Sequence, residues 1–148
     1  MSLTIFTIGF TKKSAERFFT LLKANGVVRM VDVRLHNTSQ LAGFAKRGDL
    51  EYFLRMCAGI QEYVHLPLLA PTEQWLNAYQ KKRISWEEYE CAFLQLLRER
   101  QVETTVSREL LAGGCLLCSE HKPDRCHRRL VAEYFAQQWG DVRVVHLV

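Results

Sequence analysis

A chain of 148 residues and 17.2 kDa has the length of one domain, expected to span 1–148, and can bury roughly 68–70% of the surface its unfolded form exposes. Apolar residues at 48% and charged residues at 24% exclude disorder as the main character, and no apolar run approaches the ~18–20 residues of a membrane span. The net charge of +4 falls short of the dense basic stripe of a dedicated DNA binder. Five cysteines, an odd number, with no signal-peptide pattern in the first residues, predict reduced thiols in a cytoplasmic protein rather than a disulfide framework.

Leu3-Thr4-Ile5-Phe6-Thr7-Ile8 alternates and stops at Gly9, which predicts a strand running into a turn. Ser14 is positioned to cap a helix carrying Phe18, Phe19, Leu21 and Leu22, and Asn25-Gly26 ends it. Val27–Val33 predicts a second strand, so the first segment is a βαβ unit. Arg34 to Gly48 predicts a long polar loop, followed by a helix capped by Asp49 that runs to Cys57 or Ala58 and closes at Gly59. Ile60–Leu66 predicts a third strand, Thr72–Lys81 a helix, and Ser85-Trp86-Glu87-Glu88 a capping box opening a longer one. Thr104–Leu111 predicts a short helix and Cys115–Cys118 a strand. Asp124 should then cap a helix to Trp139, before a last strand over Val142–Leu147. The alternation predicts an α/β fold: a mostly parallel sheet of about five strands with helices on both faces, Rossmann-like in plan.

In such sheets ligands bind outside the carboxyl ends of the strands. The strand ends supply Gly9, Asp32 and Arg34, His65, Cys118 to Glu120, and His146. The densest segment is Cys118 to Arg129. With Asp124 as the cap, Arg125, Cys126, His127 and Arg128 would occupy the first helical turn, where the helix dipole disfavours cations by roughly 0.3–1 kcal/mol each. Either Glu120 and Asp32 neutralise them or an anionic ligand does.

Several of these residues carry a family resemblance: Thr7-Ile8-Gly9, Leu22-Lys23 to Gly26-Val27, Val31-Asp32-Val33-Arg34, Ser39, Phe44-Ala45-Lys46, Tyr63 to Leu68, and Leu117-Cys118-Ser119-Glu120 with Pro123 and Cys126-His127-Arg128. With them the sequence resembles the family catalogued as domain of unknown function 488. The resemblance implies an α/β fold and no particular activity. The chain departs from the family's usual pattern in lacking a proline between Arg34 and Ser39, and in having Ala70 after Leu69.

Three readings of the cluster compete. In a thiol-dependent enzyme, Cys126 would be the first activated thiol and Cys118 the second, with His127 or Glu120 as base; a base-processing enzyme would instead use Glu120 and Asp32 as acid/base partners. The phosphatase spacing is absent, since the residue six after Cys118 is Asp124. A metal site is disfavoured because Cys115 and Cys118 point to opposite faces of a strand and helical neighbours Cys126 and His127 would diverge by about 100°. Neither a metal ligand set nor a cofactor is therefore expected. A nucleic-acid module would use Arg34, Lys46, Arg47, Arg125, Arg128 and Arg129, although no nucleic-acid motif is present.

The expectation is an enzyme acting on a small anionic, phosphate- or nucleotide-like ligand, with Glu120, His127, Cys126, Cys118 and Asp32 as catalytic candidates. Gly9, Arg34, Ser39, Lys46 and Arg128 would bind the ligand. The alternative is a non-catalytic nucleic-acid-binding module. Trp75, Tyr79, Trp86 and Tyr89 read as core and pocket wall, and Cys57 and Cys91 as helix-face packing.

Overall fold

The strand Gly114–Cys118 is buried at every position, as a central parallel strand must be when helices cover both its faces. The structure, a computed structural model, describes residues 2–37 and 43–148; Ser39 lies outside them. β1 (Leu3–Gly9), β2 (Arg29–Asp32), β3 (Glu62–His65), β4 (Gly114–Cys118) and β5 (Val142–Leu147) form one sheet in the order β3-β2-β4-β1-β5. Every pairing is parallel. The order reverses across β4, which separates β1 from β2. The register sets Gly9 beside Cys118, Asp32 beside Leu117 and Asp32 beside His65, so the carboxyl ends of four strands share one rim.

Helices α1 (Ala15–Ala24) and α2 (Arg47–Phe53) lie on one face. They enclose Phe18, Leu22, Leu50 and Leu54 over Ile8, Met30, Cys115 and Leu117. On the other face are α3 (Glu73–Gln80), α4 (Trp86–Arg100), two single-turn helices α5 (Val102–Thr105) and α6 (Arg108–Leu111), and α7 (His127–Trp139). There Phe93, Leu97, Leu130 and Phe135 cover Ile5, Val31, Leu116 and Cys118. Period-two alternation sends Cys115 and Cys118 into different cores.

Local chemistry explains most of the boundaries. Ser14, Thr72 and Ser107 each accept a backbone N–H at the start of a helix, and Ser85 with Glu88 completes the capping box. Gly26, Gly59 and Gly113 take positive φ where the chain leaves α1, α2 and α6, respectively, for a strand.

Four local expectations are corrected. Asp49 is not a cap; α2 starts earlier, after Lys46, and places Asp49 in its first turn, where a carboxylate suits the dipole. A π-helical turn over Leu54–Ala58 continues α2, burying Leu54 and Ala58 and leaving Cys57 exposed; Cys91 is exposed as well, on the side of α4 away from Tyr89 and Phe93. The single short helix expected over Thr104–Leu111 is two, because Ser107 caps a fresh turn. Asp124 does not cap α7 either. Cys126 occupies that position in an extended conformation, with its N–H on the Pro123 carbonyl.

Candidate active site at the sheet rim

The later start of α7 changes the chemistry of the rim. With Cys126 extended at φ −134° and ψ 138°, it and His127 no longer diverge as helical neighbours would. Both side chains turn toward Cys118 at the end of β4, and the donor atoms of Cys118, Cys126 and His127 all lie within 4.8 Å of one another. The angular reason for keeping Cys126 and His127 apart therefore fails. All three residues are buried.

His127 is fixed by its surroundings. Its Nε2 lies 2.7 Å from the Val33 carbonyl oxygen, which can only accept, so Nε2 carries the proton. Nδ1 is left as the acceptor and stands 3.4 Å from the Cys118 sulfur. The ring packs edge-on against Phe93. This is a thiol facing an oriented base.

The two thiols are held in opposite senses. A hydrogen bond from Cys126 pulls the Cys118 thiol below its ordinary pKa against the opposing effect of burial, helped by the Arg128 charge and the Ser119 backbone. Burial raises Cys126 well above the ordinary thiol range, and its bond to Cys118 adds to this. These shifts favour charge on Cys118 over Cys126, where the sequence pointed to Cys126 first.

Asp32 lies on the other side of the sheet. It shares the parity of Met30, whose side chain faces α1 and α2, whereas Val31 and Cys118 face α4 and α7. Fully buried, Asp32 accepts from the Arg34 N–H at 3.1 Å, Nε at 2.8 Å and Nη2 at 2.7 Å, and from the Tyr63 hydroxyl. Asn37 in turn donates to Tyr63, and His65 donates to the Arg34 carbonyl. Burial works against the Arg34 charge, yet Asp32 holds its pKa above the ordinary value. Asp32 thus orients Arg34, and its charge opposes ionisation of Cys118. Arg34 stacks against Phe10, and its Nη1 has no hydrogen-bond partner among the described residues.

Arg128 does not line the rim cavity. Its fully buried guanidinium runs back under the loop after β4, with Nη1 2.6 Å from the Glu120 carbonyl and Nη2 3.3 Å from that of His121. Gly9 permits this packing: a Cβ there would lie 1.5 Å from the Glu120 carbonyl oxygen. Arg129 pairs with Glu90 and Glu133. Arg128 is thus held by carbonyls and Arg129 by carboxylates, although the Nε of each has no hydrogen-bond partner among the described residues. Lys46 is exposed at the start of α2, outside the cavity lining.

A cavity of about 540 Å³ opens over the thiols. Cys118, Cys126 and His127 line it together with Arg34, Arg125 and Glu120, and Tyr79, Trp86 and Tyr89 form an aromatic wall. Burial raises the Tyr89 phenol, which stays protonated beside the sulfurs. Phe10 and the Val33 carbonyl carry no sequence signal for these roles, whereas Arg125 shows one in its place beside Cys126 and Tyr63 shows one in the family resemblance. The three sulfur and nitrogen donors are close enough to hold one soft metal ion. Arg34, Arg125 and the nearby Arg128 make the surroundings positive, which favours a thiolate and an anion over a further cation.

The fold and rim together define an α/β protein with a ligand-sized pocket at the carboxyl ends of a parallel sheet. Residues 14–135 match the family described as Domain of unknown function DUF488, and the chain belongs to that family. No curated protein and no solved structure gives a significant match. Among the described residues, no helix is long and apolar enough to cross a membrane.

Proposed function

We propose that the protein is a thiol-dependent enzyme acting on a small anionic ligand in the rim cavity. The observation that carries this reading is the Cys118–His127 pair, with Nδ1 turned to the sulfur, inside a cavity that also exposes Arg34 and Arg125. Cys118 is the nucleophile and His127 takes its proton at Nδ1. Arg34, locked by Asp32, presents its charge to the ligand anion without a large reorganisation, and Arg125 adds a second cation at the mouth. Glu120 stands in the same lining as a further acid–base candidate.

The nucleic-acid alternative receives less support. Arg29, Arg47, Arg108 and Arg129 are each paired with a carboxylate, which breaks up the basic surface such a module needs.

Iodoacetamide labelling followed by peptide mass spectrometry tests the proposal, with inorganic phosphate as the ligand probe. Cys118 is expected to label faster than Cys57 and Cys91 at neutral pH, and phosphate is expected to slow that labelling. The protection should weaken in Arg125→Ala, whose exposed side chain is dispensable for folding. Labelling of Cys118 no faster than of Cys91, or unaffected by phosphate, overturns it.

A further inference from the structure

The nucleophile just described has a second sulfur beside it. Cys126 is buried, has no capping role for its side chain, and lies with Cys118 and His127 inside one 4.8 Å cluster. A lone nucleophile needs no such neighbour. Where a thiol close to its partner is also held protonated, its natural chemistry is to resolve an oxidised form of that partner. Other features of the molecule carry less. The groove along α3 and α4, lined by Trp75, Glu87, Cys91 and Leu96, and the patch formed by Phe19, Phe44 and Phe53 are surfaces with no indication of what would cover them.

We infer that Cys118 and Cys126 form a dithiol–disulfide couple that reduces a hydroperoxide in the rim cavity. The inference rests on the reading of Cys118 as the cavity's nucleophile. In the first step the Cys118 thiolate attacks the terminal oxygen of the hydroperoxide. An S–O bond forms as the O–O bond breaks, and the departing alkoxide takes the proton that His127 had accepted at Nδ1. The products are Cys118 sulfenic acid and an alcohol, or water when the oxidant is hydrogen peroxide. In the second step the Cys126 sulfur attacks the Cys118 sulfur. The S–S bond forms, the Cys126 proton passes to Nδ1 of His127 and from there to the departing hydroxide, and water leaves. Two thiols and one hydroperoxide thus give one disulfide, one alcohol and one water. An external thiol, two equivalents per turnover, returns the couple to its reduced state.

The geometry suits each step. The Val33 carbonyl holds His127 in the one tautomer that can pass a proton at Nδ1. The guanidinium of Arg34 lines the same cavity and favours the negative charge that develops on the leaving oxygen. Cys126 caps α7 from outside, its N–H bonded to the Pro123 carbonyl rather than into the helix, so its side chain can turn toward Cys118 without unwinding α7.

The test uses the full chain treated with hydrogen peroxide and analysed by non-reducing peptide mass spectrometry. A Cys118–Cys126 linkage is expected in the wild type. Dimedone should trap a sulfenic acid on Cys118 in Cys126→Ser, and peroxide should leave Cys126 unmodified in Cys118→Ser. Wild-type protein should also consume peroxide through many turnovers with dithiothreitol present, and both variants should lose this activity. Circular dichroism of each variant confirms that it is folded. Cys118 passing directly to the sulfinic acid in the wild type, without a linkage, overturns the inference. So does stoichiometric zinc in the purified protein that blocks oxidation until chelated. If Cys118 is alkylated quickly and phosphate protects it, yet no linkage forms, the couple fails while the anionic-ligand enzyme stands. If Cys118 resists both reagents, that reading fails as well.

Discussion

Nδ1 of His127 faces the sulfur of Cys118 at 3.4 Å because Nε2 of the same ring donates to the Val33 carbonyl at 2.7 Å. A backbone atom just after β2 thereby sets the tautomer of a side chain on α7, and that side chain faces a thiol on β4.

The first prediction follows from the lowered Cys118 pKa. A group depressed in the folded state keeps its charged form to lower pH than a free thiol would. Alkylation of Cys118 should therefore persist to lower pH than alkylation of a free thiol in solution. Cys126→Ala, which removes the hydrogen bond that lowers the Cys118 thiol most, should restore a steeper pH dependence at Cys118. Mass-spectrometric labelling rates across pH check both.

The Asp32–Arg34 pair gives the second. Asp32→Asn leaves a buried guanidinium without its counter-ion and should destabilise the fold by roughly 3–5 kcal/mol. Arg34→Met should cost a similar amount, since it strands the Asp32 carboxylate. Phosphate protection of Cys118 should vanish in Arg34→Met even at a temperature where the variant is fully folded. Urea unfolding curves read the first effect and labelling reads the second.

Arg128 and Gly9 should behave as a structural pair. Arg128→Met removes charged donors from the Glu120 and His121 carbonyls and should cost about 3 kcal/mol, leaving the response to phosphate intact in whatever protein remains folded. Gly9→Ala forces a methyl group to within 1.5 Å of the Glu120 oxygen, so the loop after β4 must move. The expected loss is about 3 kcal/mol or more. A Gly9→Ala variant as stable as the wild type would show that the loop relaxes freely.

Lys13 supplies a prediction about pH and stability. Burial, and then the charges of Arg128 and Arg17, lower its pKa from 10.5 to about 8. Below that value the lysine is charged in both folded and unfolded states, and its full penalty applies. Between about 8 and 10.5 the unfolded chain binds more protons, so this group makes stability rise with pH. Lys13→Met should accordingly raise Tm at pH 7, and the gain should shrink as pH climbs through that window. Paired thermal melts over the range decide it.

Much of the fold was legible because it rests on local chemistry. Ser14, Thr72 and Ser85 announce their helices through side chains that replace missing backbone partners, and the alternation of β1 and the apolar run of β4 identify strands buried in a parallel sheet. The strand ends followed, and with them the rim. The rim's inner arrangement did not. Asp124 has the residue type of a cap, yet α7 starts two residues after Arg125, because Cys126 and His127 gain a buried cluster with Cys118 and Val33 that lies far away in sequence. Which thiol faces His127 depended on that displacement. So did the fate of Arg128, whose charge reads as a ligand anchor in sequence but is consumed by two carbonyls of the loop that Gly9 lets close. Residue types and spacing determined where the strands end and which chemistry gathers there. Only tertiary packing decided which donor faces which acceptor, because a buried polar atom takes its partner from whatever the fold brings within about 3 Å, not from its neighbours in the chain.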